Sequence, residues 1–201
     1  MTQGNPKIMD KTYKTFWRRF MALIIDAMVL GIIGFTTRIF TTPNGEVLTP
    51  MQTIVDNGVW LAYTIYLHVK YGQTIGKMVC KVKVVTTSGA NISFSHALKR
   101  EIVYLLLAVM TLVSMFTHKE EYASYNESMA FIESFVVTEE NDDDEILKKH
   151  MEVIDNFGGS PEMWIMDISM IYLLLEIVTM LTNRKRRSIN DFIAGTEVRR
   201  L

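Results

Sequence analysis

The chain has 201 residues, 49% of them hydrophobic, with 21 Lys and Arg, 22 Asp and Glu, a formal net charge of −1 and one cysteine; its mean hydropathy is +0.16. That is too apolar for a disordered chain, and a lone Cys80 excludes an internal disulfide framework and any multi-cysteine zinc or iron–sulfur site. Soluble globules also approach half apolar content, so the deciding property is whether the apolar residues are scattered or contiguous. Here they are contiguous.

Four apolar runs organise the chain, at about residues 20–40, 54–69, 101–117 and 163–182. The first is broken only by Asp26 and Arg38 and is long enough to cross the roughly 30 Å hydrocarbon core. The second and third sit near the lower length limit and are read as spans from the company they keep. A cleaved signal peptide does not fit the first run, which is preceded by mostly polar residues and followed by no clean small-x-small cleavage site. The expectation is an all-α membrane protein, a bundle of four transmembrane helices.

Basic residues set the orientation. Lys and Arg number five in residues 1–19, none in 41–53, six in 70–100 and six in 184–201, whereas 118–160 holds three lysines against twelve acids. The alternation predicts both termini in the cytoplasm. The chain then reads as a basic cytoplasmic N-terminus (1–19), a membrane domain (20–183) carrying an acidic extracytoplasmic insertion (118–160), and a basic cytoplasmic tail (184–201). Trp17, Trp60 and Trp164 each fall near a span end, where interfacial aromatics collect.

The cytoplasmic segments carry local signals. Lys81–Val85 alternates basic and apolar residues with period two before Thr87, Ser88 and Gly89, which predicts a short strand entering a turn. Ser93 or Ser95 is placed to cap a helix running through Lys99 and Arg100 into the third span. Gly72–Lys77 invites a phosphate-loop reading, but three residues separate Gly72 from Gly76 where four are required, and Met78 replaces the magnesium-binding hydroxyl. A membrane-proximal turn is expected instead, with Lys77, Lys81 and Lys83 beside anionic headgroups.

Three blocks of sequence then carry a resemblance: Arg19–Asp26 at the start of the first span, Gly72–Val85 between spans two and three, and Arg187–Thr196 after the last span. In order and spacing they resemble the RDD family of small prokaryotic integral membrane proteins, over about 120 of the 201 residues. The resemblance implies a membrane-embedded helical bundle and aligns Arg19, Asp26 and Asp191 with the arginine and two aspartates that name the family. Cation/proton exchange is one activity proposed within it.

Ionisable groups inside a span cost about 2.5–3.5 kcal/mol at mid-membrane, so Asp26, Asp167 and Glu176 are expected to face protein or water. Asp26 and Glu176 lie at similar depth from the cytoplasmic side, and if their spans pack together they can share a proton or a monovalent cation. The structural alternative has each carboxylate satisfied by Arg, Lys, or the hydroxyls of Tyr63 or Tyr66. Arg19 points back toward its own N-terminus, which disfavours a direct pair with Asp26. Arg38 with Asp56 or Asp167 reads as a structural ion pair near the outer surface. Asp191 is placed to cap a short helix or to bind an arginine of the 184–187 run, itself read as an anchor on anionic lipid.

Other chemistries find no support in the spacing of residues. His68, His96, His118 and His150 are dispersed, no metal-ligand or nucleophile motif appears, and the run Asp142–Glu145 lacks calcium-loop spacing. No enzymatic activity, catalytic residue, metal, cofactor or nucleic-acid partner is expected. The partners expected are the lipid bilayer of a prokaryotic plasma membrane, monovalent cations or protons, and a second copy or a larger membrane complex. Two functional readings stand: cation/proton-coupled transport through Asp26 and Glu176, or a non-catalytic accessory subunit of a transport or protease complex.

Overall fold

The computed structural model describes residues 14–41, 49–123, 126–127, 148, 151 and 161–201; the acidic run 142–145 and most of the expected insertion lie outside them. Four long helices dominate: α1 (Phe16–Thr41), α2 (Pro50–Tyr71), α4 (Phe94–Thr117) and α5 (Pro161–Thr182). Short elements lie between and after them: α3 (Ile75–Val79), β1 (Val82–Thr86), α6 (Ile189–Ile193) and β2 (Thr196–Arg200). Among the described residues three helices are long and apolar enough to cross a membrane, those containing Phe16–Thr41, Phe94–Thr117 and Trp164–Thr182. The fourth, α2, has the length of a span at 22 residues. Its Gln52, Asp56, Asn57, His68 and Lys70 dilute its hydropathy below that of the other three.

The solvent pattern is inside-out. Ile32, Phe35, Trp164 and Met170 are exposed, while Asp26, Arg100, Glu101, Glu176 and Asp191 are buried. Water would select the reverse arrangement, and hydrocarbon selects this one.

The chain divides into two compact units. The first comprises residues 1–33, 58–105 and 171–201. Here β1 and β2 pair antiparallel, with Val82 opposite Arg200, Val84 opposite Val198 and Thr86 opposite Thr196. Val82, Val84 and Val198 join Ile92 and Ala97 in a small apolar core against Ile65 and Cys80. The alternation at Lys81–Val85 therefore becomes β1; its partner β2 left no such signal, because Thr-Glu-Val-Arg-Arg offers one apolar residue and reads as a charged tail. Helix α4 begins at Phe94, directly after Ser93, whose hydroxyl lies 2.7 Å from His96 Nδ1.

The second unit comprises residues 34–57 and 106–170. Within it Gln52 bonds Thr41 and donates Nε2 to Asp56 Oδ1 at 2.7 Å, and Thr53 Oγ1 approaches Met115 Sδ at 3.4 Å. Arg38, Asp56 and Asp167 are all exposed residues.

The two kinds of apolar residue separate in a thermal-unfolding measurement. Val84→Ala removes packing from the small core and costs about 2 kcal/mol. Ile32→Ala, on an outward face, stays within about 0.5 kcal/mol in lipid nanodiscs. Equal losses would overturn the inside-out assignment.

Candidate functional site

Asp26 lies on α1 one turn beyond Ala22, whose carbonyl closely faces Gly76 of α3. Its carboxylate accepts three hydrogen bonds: from Tyr63 OH at 2.6 Å, Thr74 Oγ1 at 2.6 Å and the Gly76 N–H at 2.8 Å. Thr74 is the N-cap of α3, and Tyr63 OH in turn accepts from the Ile75 N–H at 3.1 Å. Of the amides at this phosphate-loop-like turn, that of Gly76 is satisfied by the chain's own carboxylate, and those of Ile75 and Lys77 by the hydroxyls of Tyr63 and Thr74. Gly76 is required here, since a Cβ would strike the Ala22 carbonyl and lie 2.9 Å from Asp26 Cγ.

A second knot forms around Asp191, which has no solvent exposure. Ser188 caps α6, and Asp191 at the third helical position completes the capping box by accepting from the Ser188 N–H at 3.0 Å. Arg19 Nη1 pairs with Asp191 Oδ2 at 2.8 Å, and Arg100 Nη1 pairs with Oδ1. Arg19 also reaches the Arg186 carbonyl at 2.8 Å, and Arg100 reaches Thr196 Oγ1 at 2.7 Å. Burial by itself would raise the Asp191 pKa, but the two guanidinium groups overcome it and hold the carboxyl well below the usual carboxylate range.

These residues border a cavity of about 230 Å³. Lys77, His68, Glu101 and Glu176 face it beside Asp26, Arg19 and Arg100, and Phe20, Leu23, Leu173, Ile177 and Met180 form an apolar wall. Glu101 accepts from Trp60 Nε1 at 3.3 Å; Glu176 accepts from Tyr104 OH and from the Asn190 N–H, both at 3.4 Å. Lys77 Nζ lies 2.7 Å from His68 Nε2. Desolvation, reinforced by Arg100 and Arg19 and opposed by Glu101 and Asp26, lowers the Lys77 pKa to about 7. Asp26, Glu101 and Glu176 are all buried, and among the described residues each is hydrogen-bonded only by neutral groups.

Several sequence expectations change against this geometry. Asp26 and Glu176 line one cavity without bonding each other: Asp26 is held by Tyr63, Thr74 and Gly76, and Glu176 by Tyr104 and the Asn190 N–H. Lys77 faces the cavity and not the headgroups. Trp60 is turned to Glu101, whereas Trp17 and Trp164 are exposed. The carboxylate of Asp191 takes its arginines from α1 and α4; of the 184–187 run, Arg187 bonds the Asp191 and Thr196 carbonyls and Arg186 the Leu181 carbonyl. Arg100, Glu101, Lys77 and His68 were not singled out as a site, since nothing in their spacing brings them together; only the juxtaposition of Arg100 with Glu101 at the head of an apolar run hinted at a buried role.

Three helices of spanning length with outward apolar faces, together with charged residues held inside, define an α-helical integral membrane protein. The chain belongs to the RDD family, which matches it over residues 13–195. Among curated proteins and among solved structures, none matches it.

The two aspartates are expected to differ in cost. Asp191→Asn leaves Arg19 and Arg100 buried against a neutral group and costs about 3–5 kcal/mol. Asp26→Asn removes one acceptor from neutral donors and costs about 1–3 kcal/mol. Thermal unfolding of the two variants checks the order. Lys77 sets a pH signature as well. Between about pH 7 and the ordinary lysine value of 10.5, the unfolded chain holds a proton that the folded chain has released. Stability therefore rises with pH across that window, and Lys77→Met should flatten the rise in unfolding scans.

Proposed function

We propose that the protein is a cation/proton exchanger of a prokaryotic plasma membrane, with four spans including α2 and both termini in the cytoplasm. The observation that carries the reading is a cavity lined by three buried carboxylates, none in an ion pair among the described residues, together with one lysine whose pKa lies near neutrality. Buried carboxylates without counter-ions favour a cation, and a titrating ammonium among them supplies one from within.

The exchange follows from charge. Arg19 and Asp26 from α1, His68 from α2, and Arg100 and Glu101 from α4 surround Lys77, and Glu176 from α5 lines the same cavity. Arg19 and Arg100 are committed to Asp191. With Lys77 protonated, its ammonium offsets Glu101 and Glu176; once it loses the proton, a cation from outside takes over that role. Reprotonation of Lys77 then expels the bound cation, one charge for one charge. Asp26 is assigned a structural part, since its oxygens are occupied by the α3 cap and Tyr63. Four spans are few for alternating access around a central site, so the working unit is a homo-oligomer.

The second reading is a non-catalytic accessory subunit of a membrane complex. It is favoured by the family-naming residues themselves, because Arg19, Asp26 and Asp191 are all engaged in holding elements together.

Purified protein in liposomes carrying an internal pH dye separates the two. One of a series of added monovalent cations, Na⁺, K⁺ and organic ammonium ions, should collapse a preset proton gradient, and Lys77→Met or Glu176→Gln should slow that collapse about tenfold while the fold is retained. Flux no greater than that of empty liposomes, from folded protein, would sink exchange and leave the accessory reading.

A further inference from the structure

The cavity is built for something larger and less hydrophilic than a bare metal ion. Among the described residues no group of three or more His, Cys, Asp or Glu can hold a metal. Na⁺ or K⁺ stripped of water needs a cage of oxygen ligands, and Asp26 has already given its oxygens to Tyr63, Thr74 and Gly76. The volume of about 230 Å³ also exceeds that of a single ion, since one water takes up about 30 Å³.

The two remaining carboxylates stand in an aromatic frame. Trp60 donates to Glu101 and Tyr104 donates to Glu176, and the Trp60 and Tyr104 ring centroids are 6.3 Å apart. Tyr172 packs edge-on against Tyr104 at 5.7 Å. Glu101 and Glu176 are more than nine-tenths buried, and among the described residues neither meets a basic side chain in an ion pair. Buried carboxylates held only by neutral donors at the edges of aromatic rings keep acceptor capacity for an ammonium group. Phe20, Leu23, Leu173, Ile177 and Met180 also line the cavity and offer a surface that no inorganic ion uses but a hydrocarbon group does.

We infer that this cavity binds an organic ammonium ion, with its charged head between Glu101 and Glu176 and an apolar group against Phe20, Leu23, Leu173, Ile177 and Met180. An organic anion is disfavoured because the guanidinium groups of Arg19 and Arg100 are already paired with Asp191. The inference names the substrate class for the exchange reading and rests on that reading only for transport; occupancy of the site is an equilibrium property.

The test is calorimetric titration of the full chain in nanodiscs at about pH 8, above the value to which Lys77 is lowered. The probes are benzylammonium, benzyl alcohol, benzoate and Na⁺. Benzylammonium should bind saturably while the other three give no saturable heat. Glu101→Gln with Glu176→Gln should weaken it about tenfold or more, and Leu173→Trp, which fills the apolar side and leaves the charges untouched, should weaken it too. Circular dichroism and size-exclusion profiles verify that each variant is folded. Saturable binding of benzoate alone, binding by the double glutamine variant equal to wild type, or no binding by folded wild type would each overturn the inference. Benzylammonium binding without flux in liposomes would remove the exchanger and keep the site; Na⁺ flux without benzylammonium binding would do the reverse.

Discussion

Asp191 holds two arginines that enter from distant points of the chain, and the rest of the first unit depends on that contact. Arg19 arrives from α1, Arg100 from α4, and Ser188, Thr196 and α6 close around the same carboxylate. In water such burial of three charges would barely repay its desolvation. In lipid the balance shifts, because hydrocarbon is as apolar as a leucine side chain and gives helices no hydrophobic reason to associate. Polar contacts inside the protein then carry what an apolar core carries elsewhere, and the small valine core beneath β1 and β2 serves the part of the chain that leaves the helices.

Asp26 works by the same logic on a smaller scale. A five-residue helix cannot stand alone in water or at an interface. Here the Gly76 N–H at its start is satisfied by a carboxylate from α1 and its neighbours by the Tyr63 and Thr74 hydroxyls, and the absence of a side chain at Gly76 lets the two backbones meet. Asp26, Glu101 and Glu176 have the same chemical group and similar burial, yet they differ in use. Asp26 has three short donors, while Glu101 and Glu176 have long contacts to neutral groups. A carboxylate with three short donors is committed; one with only one or two long contacts keeps its capacity for a ligand.

Lys77 stands at the junction of the two networks. Its neighbours in sequence suggested a basic residue at a membrane surface, and its neighbours in space are His68, Glu101, Asp26 and the two arginines of the Asp191 knot. An ammonium placed there is penalised by desolvation and by like charge together, which is why it alone among the lysines described combines a cavity-facing position with a proton held near neutrality.

The sequence by itself determined the membrane character, the long helices and the strand at Lys81–Val85. Hydropathy and alternation are properties of neighbouring residues, and a solvent of hydrocarbon acts on them one segment at a time. Helix ends were legible where a cap marked them, as Ser93 does for α4, and less so elsewhere: α2 starts at Pro50, ahead of the apolar run at 54, because an apolar run records contact with lipid while the backbone stays helical through polar turns. The family blocks marked Arg19, Asp26 and Asp191 as special without saying what each touches. Tertiary structure alone decided that Arg19 belongs to Asp191, that Thr196–Arg200 is a strand, and that Lys77, Glu101 and Glu176 border one cavity. Those contacts join residues from 24 to 172 positions apart in the chain, and no local pattern encodes a pairing whose partners are brought together only when the helices pack.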